Sequence, residues 1–186
     1  MKILGIVGSP RKGGNTEALT EIALEEIAKE GIETELIHLS RKKIAPCDAC
    51  RSCRTTGECR IKDDFQAIHE EMVKADGFIL ATPVWFGAAT PLMTGLISRC
   101  YVSRRVNPFE NKVGGPIVVA RRAGKNFTFA QLMFFFMIHG MIVPGSTYWN
   151  VAVADEAGEV AGDEEGVQTI RNFGRKLAWL AKKLKA

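Results

Sequence analysis

Four of the chain's five cysteines fall within the stretch CDACRSCRTTGEC, at positions 47, 50, 53 and 59. Thiolates at this density, spaced Cys-x2-Cys-x2-Cys-x5-Cys, are the donor set of an iron-sulfur centre. The two-residue gaps turn the chain round one face of a cubane and the longer gap reaches its last corner. Cys47, Cys50, Cys53 and Cys59 are therefore candidate ligands of a 4Fe-4S cluster. A structural zinc ion takes the same four sulfurs, but usually from two paired knuckles on separate segments rather than from three cysteines in close succession. Vacant or redox-active thiols are the third reading. Cys100 stands apart in an apolar helical stretch and reads as a buried apolar residue.

A second kind of chemistry is written in GSPRKGGNT, Gly8 to Thr16. Glycines, hydroxyls and basic side chains between a strand and a helix suit an anion held at the helix N-terminus. Gly8 and Gly13 have the spacing of a nucleoside-triphosphatase loop, yet Gly14 and Asn15 stand where that loop needs Lys and Ser or Thr. A Gly-x-Gly-x-x-Gly dinucleotide fingerprint is also missing, and the following strand ends in His38 rather than in an acidic residue for a ribose hydroxyl. What remains suits a terminal monophosphate, met by Ser9, Arg11, Gly13, Gly14, Asn15 and Thr16. The plainer alternative is a glycine-rich turn without a ligand.

Two further loops offer a flat apolar wall and a polar edge. TPVWFGAATP places Pro83, Val84, Trp85, Phe86 and Gly87 after a buried strand, where aromatic side chains can face a planar ring and Gly87 lets backbone approach it. ARRAGKNFT adds Arg121, Arg122, Gly124 and Asn126, which can bond the polar edge of that ring or stay solvated. His38, His69 and His139 fall in no nucleophile-base or metal spacing and read as structural. Lys62, Asp63 and Asp64 read as the N-capping region of the next helix rather than as an acid-base pair.

These loops need elements to hold them, and the chain alternates short apolar strands with amphipathic helices. KILGIV, ETELIHL, GFILAT, GPIVVA and TYWNVAVA read as five strands. Helices follow from NTEALTEIALEEIAKEG, with Asn15 as N-cap and Gly31 past its end, and from DDFQAIHEEMVKAD, TPLMTGLISRCYVS, FTFAQLMFFFMIHG and EEGVQTIRNFGRKLAWLAKKLK. Such alternation predicts a parallel sheet covered on both faces, with right-handed crossovers and a ligand outside the carboxyl ends of the strands.

The 186 residues, 46% hydrophobic and 25% charged, suit one domain over 1–186 with a cysteine-rich loop at about 40–62. The opening apolar stretch is too short for a secretory h-region, and Leu132 to Val143 is too short to span a bilayer. A cytoplasmic, reducing location is thus expected, where clustered cysteines serve metal or redox chemistry more often than disulfides. A net charge of +4 without an aromatic-basic module argues against a nucleic-acid partner.

Taken together, GSPRKGGNT, ATPVWFG and PCDACRSCRTTGECRIKDD resemble the flavodoxin-like, NADPH-dependent FMN reductases, and among them the iron-sulfur flavoproteins of anaerobic archaea and bacteria. The resemblance covers almost the whole chain, and the compact cysteine motif is its specific element, since generic flavodoxins and quinone reductases lack it. It implies a flavodoxin-like α/β fold with a doubly wound, five-stranded parallel sheet. It also implies FMN and one 4Fe-4S cluster per subunit, in a homodimer or homotetramer that brings the two within electron-transfer range. The implied activity is an FMN-dependent oxidoreductase passing electrons between an external donor, such as ferredoxin or NAD(P)H, and a small-molecule acceptor. An NAD(P)H-dependent FMN or quinone reductase without a cluster, and a zinc-bearing flavodoxin-like binding module, are the alternatives. Thr94 and Ser98 depart from the pattern, standing where relatives commonly carry Lys and Asp. The apolar weight of QLMFFFMIHGMIVPG, with Trp85 and Phe86, is more than one helix of a small domain usually buries, and points to a subunit interface.

Overall fold

The computed structural model describes residues 1–104 and 106–185. Five parallel strands form its sheet: β1 (Lys2–Val7), β2 (Glu33–His38), β3 (Gly77–Trp85), β5 (Val113–Ala120) and β6 (Val151–Val153), in the order β2-β1-β3-β5-β6. A two-residue strand, β4 (Ala88–Ala89), folds back antiparallel onto the end of β3. Without β4 the order reads 2-1-3-4-5, the doubly wound arrangement whose direction reverses between β1 and β3. Loops leaving those two strands therefore open onto one crevice.

Residues 3–7 of β1 and all of β5 are buried, as continuous apolar strands covered on both faces must be. The period of two sorts their side chains. Ile3, Ile79 and Ile117 face α1 (Asn15–Ala28) and α6 (Glu164–Lys185), where Leu19, Ala23, Ile27, Ile170, Phe173 and Leu177 receive them. Leu4, Ile6, Phe78, Leu80 and Val118 face α3 (Phe65–Lys74), α4 (Pro91–Arg99) and α5 (Lys125–Ile138) through Ile68, Met72, Met93, Leu96, Leu132 and Phe136. Between α1 and α6 the backbones pass closely: a Cβ on Gly174 would stand 2.6 Å from the carbonyl oxygen of Ala23. Buried Glu26 ties the same two helices by accepting from Lys29, Arg171 and Arg175, and these cations hold its carboxyl down at about 2.

Several boundaries differ from the sequence expectation. β3 runs past Thr82 to Trp85, because Pro83 still pairs with Val119 and Val84 with Ala89. β6 is only Val151–Val153 rather than a strand from Thr147. Upstream of Asn150 the chain bonds to α6 instead, Ser146 Oγ donating to the Thr169 carbonyl at 2.7 Å, and the ladder starts where Val118 N–H meets the Asn150 carbonyl. Gly14, not Asn15, occupies the N-cap of α1. Asp64 makes no side-chain cap to α3; it is Asp63 Oδ1 that accepts the Phe65 N–H, at 3.0 Å. No helix of the described residues is long and apolar enough to cross a membrane.

Candidate functional site

The loop after β1 is pinned from below before it reaches any ligand. Gly8 N–H donates to the Ala81 carbonyl of β3 at 2.7 Å, and the Gly8 carbonyl accepts the Thr90 hydroxyl at 2.5 Å. Thr90 is fully buried, caps α4 by accepting the Met93 N–H at 3.3 Å, and donates its own N–H to Thr82 Oγ1. A Cβ on Gly8 would lie 2.8 Å from the Met93 Cβ, so only glycine lets the loop start this close to α4. One threonine thus joins the loops leaving β1 and β3.

Within the loop, Ser9 Oγ accepts the Arg11 N–H at 3.1 Å, and Gly13, at φ 67°, gives its N–H to Glu17 Oε2 at 2.5 Å. His38 closes the turn from behind. Its Nε2 lies 3.4 Å from Glu17 Oε2 and 3.2 Å from the Arg11 carbonyl, and its Nδ1 accepts the Ser40 N–H. The Asn15 side chain is turned to the loop after β6, donating to the Glu156 carbonyl at 2.7 Å and accepting from Gly158 and Val160 N–H. Asn15 therefore fixes one wall of the crevice, and what it offers an anion is its backbone.

A cavity of about 450 Å³ opens at this crevice, in the size range of small-molecule and cofactor sites. Ser9, Arg11, Gly14, Asn15 and Thr16 line it from the loop after β1; Pro83, Val84 and Trp85 line it from β3; Arg121 lines it from the loop after β5. Pro10, Lys12, Val119, Ala120, Ala154, Asp155 and Ala157 complete the wall. Of these, Pro10 and Lys12 belong to the GSPRKGGNT loop, whereas Ala154, Asp155 and Ala157 follow β6, where the sequence offers no basic signal. Gly13, Phe86, Gly87, Arg122, Gly124 and Asn126 do not line the cavity. Phe86 and Gly87, at φ 50° and 79°, form the tip of a two-residue hairpin between β3 and β4, and Phe86 is fully exposed there. A bulky residue in the left-handed region is strained backbone of the kind that collects at functional sites. Gly124, at φ 91°, supports the hairpin: a Cβ there would stand 3.0 Å from the Gly87 Cα. Arg121 reaches across the mouth to Asp155 at 3.2 Å.

The cysteine loop lies at the other end of α4. Cys47, Cys50, Cys53 and Cys59 line one cavity of about 270 Å³ together with Ser98, Arg99, Tyr101 and Val102. Among the described residues, no group of three or more His, Cys, Asp or Glu is arranged to hold a metal ion, and all five cysteines are free. Ala49 and Arg51, at φ 57° and 62°, put left-handed turns on both sides of Cys50, and Cys53 opens the single turn α2 (Cys53–Thr56), which ends at left-handed Gly57. Burial, chiefly, pushes the Cys53 thiol up. The Asp48 carboxyl is held down at about 2 by its hydrogen bonds with Arg60 and Cys50. The loop also packs directly on α4: Cys47 N–H donates to Ser98 Oγ at 3.3 Å, and Gly95 lets the Ile44 carbonyl approach the helix.

Cys100 is buried as expected, which pushes its thiol up. His69 and His139 sit in an aromatic cluster with Phe65, Phe109 and Phe135, consistent with structural roles. Among the residues lining the cysteine cavity that sequence reasoning passed over is Arg99. Its signal was available, as an arginine inside the apolar run LISRCYV.

The strand order and the helix-terminus loop at the point of reversal define a flavodoxin-like α/β protein. The chain belongs to the NADPH-dependent FMN reductase family, whose model matches residues 1–156, and within it to the iron-sulfur flavoproteins. It is 41% identical to an iron-sulfur flavoprotein of Methanocaldococcus jannaschii over the full length of both chains. It is 38% identical to one of Methanosarcina thermophila, over 95% of this chain and 93% of that one. The solved structure of RosB with bound 8-demethyl-8-formylriboflavin-5'-phosphate superposes on all of this chain and 80% of the other, with a TM-score of 0.79 at 21% identity, a likeness of fold. The chain is accordingly a flavin-dependent oxidoreductase, with FMN as its flavin.

Proposed function

We propose that this protein is an electron-transfer iron-sulfur flavoprotein, passing electrons between an external donor and FMN through a 4Fe-4S cluster ligated by Cys47, Cys50, Cys53 and Cys59. One observation carries the reading: the four thiols line a single cavity at one end of α4, while the other end of α4 is capped by the threonine that pins the flavin-side loops. The donor set fits a cluster, being four thiolates with no imidazole among them. The cavity of about 270 Å³ that the four cysteines line leaves room for a polynuclear centre.

On the flavin side the crevice cavity fits FMN. The backbone N–H groups at the start of α1, with Ser9, Arg11 and Thr16, would take the phosphate, and Gly13 and Gly14 give the chain its tight entry. Pro83, Val84 and Trp85 would lie against the ring, and the strained Phe86-Gly87 tip would hold that wall in shape. Arg121, with Arg122 and Gly124 behind it, would face the ring's polar edge. FMN supplies one- and two-electron chemistry when bound, and the cluster one-electron chemistry. The chain's own residues bind, orient and exclude water; none is required to act as a proton donor.

The donor is a ferredoxin-type protein or NAD(P)H, and the acceptor a small molecule. The assembly is a homodimer or homotetramer, which the exposed Phe127, Phe134, Met137 and Ile138 along α5 support. The protein acts in the cytoplasm as one domain spanning residues 1–186. The visible spectrum of anaerobically purified protein tests the reading. A flavin spectrum overlaid by broad cluster absorbance is expected; flavin alone would favour an FMN or quinone reductase without a cluster, and a colourless protein a binding module.

A further inference from the structure

Among the described residues, the largest fully buried side chain carries a charge. Arg99, the last residue of α4, is 1% exposed, with its guanidinium carbon 4.3 Å from the centre of the Phe65 ring. Its Nη1 donates to both carboxylate oxygens of Asp63, at 2.7 and 2.6 Å, and more weakly to the Ala45 carbonyl at 3.4 Å; its Nη2 donates to the Ile61 carbonyl at 2.7 Å. Ala45 lies two residues before Cys47 and Ile61 two after Cys59, and Asp63 Oδ2 also accepts the Ala45 N–H at 2.9 Å. An ion pair with its arginine fully buried and its aspartate partly so thus closes the cysteine loop at its base. As a stabiliser such a pair is a poor choice, since desolvating two ions offsets their attraction and apolar residues of similar volume often serve as well.

The second observation is the fate of Nε. It is buried and has no hydrogen-bond partner, and Arg99 is among the residues that line the cavity shared by the four cysteines. A buried donor left unpaired calls for an explanation in a missing partner. We propose that Arg99 serves the cysteine cavity twice: through Asp63, Ala45 and Ile61 it positions the loop, and through its Nε–H it donates a hydrogen bond to a sulfur of the cluster. This rests on the cluster reading above. Such a bond disperses the negative charge that reduction adds, so it holds the reduction potential up.

The test uses Arg99→Lys, which keeps the charge but lacks the planar fork and the Nε–H, and the double variant Arg99→Met/Asp63→Leu, which replaces the pair by apolar volume. FMN retention and thermal unfolding report whether each is folded. In both variants the cluster is expected either to be lost or to titrate at a more negative potential with an altered EPR signature. Trypsin should also cut the iron-free loop, after residues such as Arg51 and Arg60, faster than in the parent protein. Wild-type potential, EPR signature and trypsin resistance in both variants would overturn the proposal, as would failure of both to fold with FMN bound, which would make Arg99 a stability element. Absence of iron from the parent protein would instead sink the cluster reading and the Nε–H bond with it, and the trypsin comparison would still decide the positioning role.

Discussion

Replacing Thr90 by Val removes one hydroxyl and adds one methyl at a site with no exposed surface, so the change in shape is small and the change in hydrogen bonding is not. Two bonds go: the donor to the Gly8 carbonyl at 2.5 Å and the acceptor of the Met93 N–H at 3.3 Å. Loss of a helix N-cap costs about 0.5–2 kcal/mol, and leaving the buried Gly8 carbonyl unpaired about 1–3 kcal/mol. The terms overlap at one residue, so a total of about 2–4 kcal/mol is expected in denaturant unfolding of the flavin-free protein. Because Gly8 opens the loop that receives the flavin phosphate, part of this should appear in binding. If about 1.4 kcal/mol of loop order is lost, the FMN dissociation constant rises about tenfold. Thr90→Ser keeps both bonds and should behave like the parent in both assays. A Thr90→Val protein within about 0.5 kcal/mol of the parent, with unchanged FMN affinity, would refute the reasoning that this threonine couples the two loops.

Arg11→Ala removes a charge-assisted contact to the phosphate, of about 1.5–3 kcal/mol, so a fluorescence titration should show FMN affinity lowered by about tenfold or more; an unchanged titration would undo the phosphate assignment. The His69 imidazole is held down at about 4 by burial first and the nearby His139 second, so the unfolded chain takes up a proton in a range where the folded chain does not. The stability contributed by neutral His69 is complete above about pH 6.5 and is lost as pH falls towards 4, by at most about 3 kcal/mol; His69→Leu should flatten that limb of the stability–pH curve, and an unaltered limb would contradict the assignment. The exposed apolar stripe of α5 should be covered by a second copy, so light scattering at micromolar concentration is expected to give a multiple of 20.4 kDa, and a monomer mass would end the oligomer proposal.

Periodicity reached the closing helix residue for residue, because Ile170, Phe173, Leu177 and Ala181 make a stripe that only one register can bury. The loop before α1 was legible from its glycines, yet Asn15 misled as a cap: its side chain bonds to residues 156–160, a partnership more than a hundred positions away that no local pattern encodes. The shortened β6 has the same cause, as Ser146 and Asn150 answer to Thr169 and Pro116 rather than to their neighbours. The cysteine spacing was plain, whereas the clasp of Arg99 and Asp63 at its base was not, because the two residues lie on separate segments and meet only when α4 packs against the loop.

The central claim is that four cysteines of one loop ligate a cluster serving a flavin held by other loops. Iron, acid-labile sulfide and FMN, measured on anaerobically purified parent protein and on Cys50→Ala, test it most directly. Iron and sulfide near four each per parent chain are predicted, with the cluster lost or converted and FMN retained in the variant, since the phosphate loop is a separate segment. Negligible iron in the parent, or iron, sulfide and cluster spectrum all unchanged by Cys50→Ala, would contradict the account.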